Sequence, residues 1–177
     1  MKHYILTNDP SFSAWGWAVL DEEGTCVDSG CIKTAPEQKK RRIRKSDDTT
    51  RRISEITQTL LGIIKQYNIS FITSESPHGS QNASAAVMIG ATAGLLQAIA
   101  DTLEISIEWY SEGDAKKCAL GKQSCMKQEM IEAMSGIYGK DWIKRVKYID
   151  EAVADALAVH YVASKQSSTL RLLKGKL

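Results

Sequence analysis

The stretch Tyr4-Ile5-Leu6-Thr7-Asn8-Asp9-Pro10-Ser11-Phe12-Ser13-Ala14-Trp15-Gly16-Trp17-Ala18-Val19-Leu20 decides the fold. Residues 3–8 form a short apolar run, and Asp9, before Pro10, stands where the run ends and a turn can start. Trp15 to Leu20 is rich in aromatic and β-branched residues, and Asp21-Glu22-Glu23-Gly24 supplies a turn. Thr25 to Lys33 reads as a third strand. The short connections predict an antiparallel meander.

Beyond it the periodicity changes. Lys39-Lys40-Arg41-Arg42-Ile43-Arg44-Lys45 holds six basic residues in seven. Ser46-Asp47-Asp48-Thr49 resembles a helix start, and Ile53, Ile56, Leu60, Ile63 and Ile64 recur at helical spacing up to Tyr67. Ser70 to Ser74 reads as a buried strand ending at Glu75, and Ser76-Pro77-His78-Gly79-Ser80 as a loop. Asn82 to Leu103 is a long helix rich in small residues, and Ile105 to Tyr110 a fifth strand. Helices are then expected over 114–120, 124–137 and 150–164. The order β-β-β-α-β-α-β-α-α-α predicts an α/β fold. Its five-stranded mixed sheet has strands 1–3 antiparallel, strands 4 and 5 parallel to strand 1, and helices on its faces. The expected organisation is a single domain over 1–164 with a basic loop at 36–48, then a basic tail at 165–177.

The chain has 177 residues, 43% hydrophobic and 25% charged, which excludes whole-chain disorder and favours one domain. Its net charge of +2 conceals an asymmetry. Residues 36–52 carry eight basic and three acidic residues; the tail carries Lys165, Arg171, Lys174 and Lys176 and no acid. The rest is acidic by 7. The longest mostly apolar run, Ala85 to Ala100, is interrupted by Gly90, Gly94 and Gln97 and is shorter than the ~20 residues a membrane helix needs. The start of the chain lacks a secretory layout, so a cytoplasmic location is expected. Cys26, Cys31, Cys118 and Cys125 form no Cys-x-x-Cys pair, and His3, His78 and His160 show no ligand spacing; buried thiols are expected instead of a zinc or redox site.

Three acids stand at positions that such a fold can bring together. Asp9 ends strand 1, Glu75 ends strand 4, and Asp155 lies within Ala154-Asp155-Ala156-Leu157-Ala158 on the last helix. An unpaired carboxylate on a packed apolar face is costly, and a shared divalent cation would compensate it. Magnesium takes hard oxygen ligands, and a pair of such ions suits phosphodiester cleavage. Taken singly, each acid has a plainer role as a turn, a solvated strand end or a surface ion pair. Glu151, one helical turn before Asp155, ranks first as a fourth ligand. Asp150 is the alternative, and becomes an N-cap if the helix starts at Glu151.

With these residues in place, the sequence resembles the RuvC-type Holliday junction resolvases of the ribonuclease H-like superfamily. Ile5 to Ser11 followed by Gly16 to Leu20 is similar to the family's opening strand, acid and second strand. Ser29 to Thr34 looks like its third strand, Ile72-Thr73-Ser74-Glu75 like the strand with the second acid, and Asn82 to Ala98 like the following helix. Tyr110, Lys116, Gly121 and Lys127 fall at the family's spacing, and Ala154 to Ala158 resembles its terminal acidic helix. The resemblance implies that Asp9, Glu75 and Asp155 bind two Mg²⁺ ions, with Mn²⁺ able to substitute. It makes Lys116 and Lys127 DNA-binding or catalytic lysines. It further implies a homodimeric crossover junction endodeoxyribonuclease acting on branched DNA, on four-way junctions first and on forks or flaps as variants.

Two departures stand out. The family's fourth acid is three residues before the last one, where this chain has Ala152. The loop after the second acid, where the family often has an aromatic that probes the junction centre, here offers His78 as a DNA-binding residue that can stack on a base, though less strongly. The long basic run fits a phage-encoded branch of the family, working in the bacterial cytoplasm. Beside a nuclease site, Lys39, Lys40, Arg41, Arg42, Arg44 and Lys45, extended by Arg51 and Arg52, read as phosphate contacts. The four tryptophans read as core. A rival reading is a branched-DNA-binding protein on the same fold that does not cleave efficiently. An actin-like ATPase lobe is disfavoured, since Asp9-Pro10-Ser11-Phe12 lacks the phosphate-binding glycine.

Overall fold

The computed structural model describes residues 3–37, 43–173 and 175. The meander forms as its composition requires: β1 (Tyr4–Asp9), β2 (Ala14–Leu20) and β3 (Cys26–Lys33) pair antiparallel in sequence order. Helix α1 (Lys45–Tyr67) carries the chain across to β4 (Ile69–Glu75), and α2 (Ala83–Thr102) leads to β5 (Ser106–Tyr110). Both crossover strands are parallel to their neighbours, giving the order β3-β2-β1-β4-β5. Helices α3 (Glu112–Leu120), α4 (Lys127–Tyr138), α5 (Lys147–Gln166) and α6 (Ser168–Leu173) complete the chain.

Strand alternation divides the core between two faces. Leu6, Trp15 and Val19 face α1 and α2, packing with Ile56, Leu60 and Leu96. Ala18 and Leu20 face α3, α4 and α5, packing with Met130, Met134, Val153 and Leu157. Trp15 and Trp142 are core residues, as expected, whereas Trp17 and Trp109 are only partly buried. The four cysteines are free and half-buried, not fully buried as expected.

Three local differences from the expected elements have physical causes. Helix α1 begins at Lys45, so the basic loop ends sooner, and Asp47 and Asp48 occupy the first turn, where a carboxylate offsets the helix dipole. Helix α5 begins at Lys147, so Asp150 is not an N-cap; its Oδ1 accepts the Lys144 amide at 2.8 Å. Within the expected basic tail, the described residues 165–173 are mostly helical and pack on the body. Leu170 is buried against Ile5, Phe71 and Ala163, because the Ser168–Leu173 turn of helix offers an apolar side to the sheet.

The position of α5 is set by one glycine. A Cβ on Gly16 would lie 2.0 Å from the carbonyl oxygen of Ala152, so the helix backbone rests directly on β2. Thr7 Oγ1 also donates to the Ala156 carbonyl at 2.7 Å, fastening the next turn to β1. A side-chain rotation cannot relieve a clash with backbone. Gly16→Ala is therefore expected to cost about 1–3 kcal/mol in urea unfolding, as overpacking does; an unchanged midpoint would mean that α5 is free to move outward.

Candidate active site

The parallel pairing of β1 with β4 sets Asn8 beside Ser74, so the next residues, Asp9 and Glu75, leave the sheet side by side. Asp9 also pairs with Gly16, the residue on which α5 rests. Asp155 lies one helical turn beyond Ala152, and this close approach brings it to the same end of the sheet. The three acids expected to act together do so electrostatically: Asp9 feels Glu75 and Asp155, and Glu75 feels Asp155.

Burial, followed by the charges of Glu75 and Asp155, holds the Asp9 carboxyl well above the usual range. Burial, followed by Glu112 and Asp155, pushes Glu75 up to about 7. Burial also raises Asp155, against the opposing pull of Lys127, whose ammonium pairs with its Oδ2. The Asp9 and Glu75 carboxylates make no hydrogen bond or ion pair among the described residues. Two crowded, unpaired carboxylates with only oxygen donors suit a hard divalent cation. As posed, no three acidic, histidine or cysteine side chains among the described residues close around one point, and Lys127 occupies Asp155.

A cleft of about 400 Å³ opens beside Asp9 and Glu75, with Phe12, Pro77, His78, Met88 and Ile89 in its walls. His78 is exposed, with Nδ1 3.1 Å from the Gly79 carbonyl oxygen, and its charge acts on Glu75. Lys127 also lines a second cleft, together with Arg145, Lys147, Asp150 and Glu151. Glu151 thus lines this second cleft and not the one beside Asp9 and Glu75, and Asp150 is committed to the Lys144 amide. Lys116 pairs with Glu112, and its charge reaches Asp155. Glu112 itself was missed in the sequence because α3 was expected to begin at Asp114. The available signal was the capping pair Ser111 and Asp114, in which Ser111 Oγ accepts the Asp114 amide at 3.0 Å.

Of the expected DNA contacts, Lys39, Lys40, Arg41 and Arg42 lie outside the described residues, as do Lys174 and Lys176 of the tail. Arg44 and Lys45 are exposed, with Arg44 bonded to Asp47 at 2.8 Å. Arg51 is held by Asp48, Glu55 and the Ala35 carbonyl. Arg52 departs from expectation. It is buried, donating to Thr34 Oγ1 at 2.9 Å, Phe12 O at 3.0 Å and Ser13 Oγ at 3.1 Å, with its guanidinium 3.8 Å from the Phe12 ring centre. It anchors the turn after Asp9 instead of facing solvent.

Glu75 retains a proton in the folded chain that it loses, near its ordinary 4.5, when unfolded. Its stabilising contribution is therefore complete below about 4.5 and is lost as pH rises through about 7. In EDTA, the parent's Tm should fall more between about pH 5 and about pH 8 than that of Glu75→Gln; parallel slopes would remove the crowding.

Comparison with known proteins follows the same lines. The family model described as "Crossover junction endodeoxyribonuclease RuvC" matches residues 5–162. The protein of that name from Natranaerobius thermophilus is 25% identical over 158 residues, covering 88% of this chain and 90% of its own. That of Dichelobacter nodosus is 26% identical, covering 94% and 88%. Among solved structures, "T. thermophilus RuvC in complex with Holliday junction substrate" superposes with a TM-score of 0.72 at 17% identity, over 98% of this chain and 97% of that one. The yeast mitochondrial Holliday junction resolvase Ydc2 gives 0.62 at 10% identity, covering 97% and 81%.

Proposed function

The chain belongs to the crossover junction endodeoxyribonuclease RuvC family, and on that basis we propose that it cleaves branched DNA, four-way junctions foremost, by metal-dependent phosphodiester hydrolysis. The observation that carries the reading is the trio Asp9, Glu75 and Asp155, crowded at one sheet end with two of its carboxylates unpaired. These three would hold the divalent cations, Mg²⁺ with Mn²⁺ as substitute. Bound ions supply Lewis acidity for the attacking water and the leaving 3′ oxygen.

The protein's own groups do the rest. The backbones of Asp9 and Glu75 are fixed by strand pairing, which holds the two side chains at one end of the sheet. Lys127, once Asp155 turns to a cation, has an ammonium free for the scissile phosphate; Lys116 stands behind it as a second cation. His78 and the apolar wall of the 400 Å³ cleft can receive a base displaced from the branch. Arg44 and Lys45, with the basic residues before them, bind flanking phosphates, and affinity falls as salt rises.

A second copy completes the assembly. The first half of α2 is largely exposed and apolar, with Val87 63% exposed; contrary to the sequence expectation, the helix formed, Ala83–Thr102, is by length and composition apolar enough to cross a membrane, because it extends beyond the run Ala85 to Ala100 at both ends. Only Thr92, Leu96, Ile99 and Ala100, in its later turns, are buried. Such a face on a chain with a charged body suits a two-fold partner, as cutting two symmetric strands requires. The absence of an acid at Ala152 favours the rival reading, a junction binder that does not cut.

Two measurements test this. Asp9→Asn should lower Mg²⁺-dependent junction cleavage by about a thousandfold or more while retaining junction binding in Ca²⁺. Equal cleavage would overturn the site, and binding without product by the parent would favour the rival. Val87→Asp should shift the mass seen by light scattering from dimer to monomer; an unchanged mass would place the interface elsewhere.

A further inference from the structure

Glu112 has no part in the reading above, yet it leaves the sheet at the same edge as the acids that do. Strands β1, β4 and β5 are adjacent and parallel, so their C-terminal ends lie together. Asp9 ends the first and Glu75 the second, and Glu75 pairs with Tyr110, which ends the third. The Ser76 amide donates to the Tyr110 carbonyl at 2.7 Å, holding the exits of β4 and β5 side by side. Ser111 then caps α3, and Glu112 is its first residue.

We propose that Glu112 is the fourth carboxylate of the cation site, a ligand taking the place of the acid that is missing at Ala152. This rests on the metal-dependent reading given above. Glu112 is the foremost charge acting on Glu75 and also acts on Asp9 and Asp155. The other candidates are accounted for. Asp150 is bound to the Lys144 amide, Glu151 lines the second cleft and is not among the charges acting on Asp9, Glu75 or Asp155, and Ala152 has no oxygen in its side chain and has its backbone against Gly16.

Charge balance points the same way. Four carboxylates share this end of the sheet with two ammoniums, Lys127 on Asp155 and Lys116 on Glu112. Each ammonium holds one carboxylate, and Asp9 and Glu75 have none. Glu112 is about half exposed and free to turn. Exchanging Lys116 for a cation shared with Glu75 gives the site its extra oxygen. It also releases the Lys116 ammonium, whose charge already reaches Asp155, toward the substrate phosphate.

The test is Mn²⁺ binding to the full chain without DNA, by calorimetry and by the EPR signal of free Mn²⁺. Glu112→Gln should weaken binding about tenfold or more, as loss of a ligand does, and raise the Mg²⁺ needed for half-maximal cleavage. Glu132→Gln removes an exposed carboxylate on α4 and controls for general charge; it should bind as the parent does. Glu112→Gln combined with Lys116→Gln separates ligation from restraint of the lysine. Affinity that stays low supports ligation, and affinity that returns to the parent's overturns it. Parent-like binding by Glu112→Gln, with binding weakened in Asp9→Asn, overturns the proposal alone. Parent-like binding by both overturns the metal site and the proposal with it.

Discussion

The backbone contact between Gly16 and Ala152 governs where the last acid stands relative to the others. A side chain at 16 would push α5 off the sheet, and Asp155 would leave with it. Because Gly16 is also the register partner of Asp9, the closest approach of helix and sheet occurs beside the first acid. The hydrogen bond from Thr7 to Ala156 fixes the following turn. Asp155 is thus flanked by two points at which the α5 backbone is fixed to the sheet, one against the Gly16 backbone and one through the Thr7 hydroxyl.

That rigidity creates an electrostatic problem. Three parallel strand ends and one helix face deliver Asp9, Glu75, Glu112 and Asp155 to a common region, where burial and neighbouring carboxylates disfavour ionisation of Asp9, Glu75 and Asp155, while the hydrogen bond from Lys116 holds Glu112 ionised. Two lysines partly answer it, Lys116 from within α3 to Glu112 and Lys127 from α4 to Asp155, each on a long stem that can withdraw. The body of the protein is acidic where chemistry is expected and basic at its edges. Anionic DNA and a cationic cofactor are complementary answers to that distribution.

Much of this was legible because it is local. Short apolar runs ending in an acid place Asp9 and Glu75 at strand ends without knowledge of the rest of the chain, and the Ala-rich surroundings of Asp155 mark a packed helix face. Glu112 was not legible once α3 was started two residues late, since its meaning lies in standing one residue beyond a capped strand exit. Arg52 could not be separated from its basic neighbours by composition. Only the return of the Phe12 turn to α1 reveals that its donors are consumed. The C-terminal segment reads as basic by count, whereas the spacing of Leu170 and Leu173, both at the third core cluster, shows a helix side bound to the sheet.

The buried Arg52 also has a mechanical consequence. It lies two turns into α1 and grips the turn that begins just after Asp9 through two carbonyl and hydroxyl partners and the Phe12 ring. Tension applied to the chain ahead of α1 is therefore not dissipated in a fraying helix end. It reaches the turn that follows the first acid, so α1 and the end of β1 behave as one mechanical unit despite their distance along the chain.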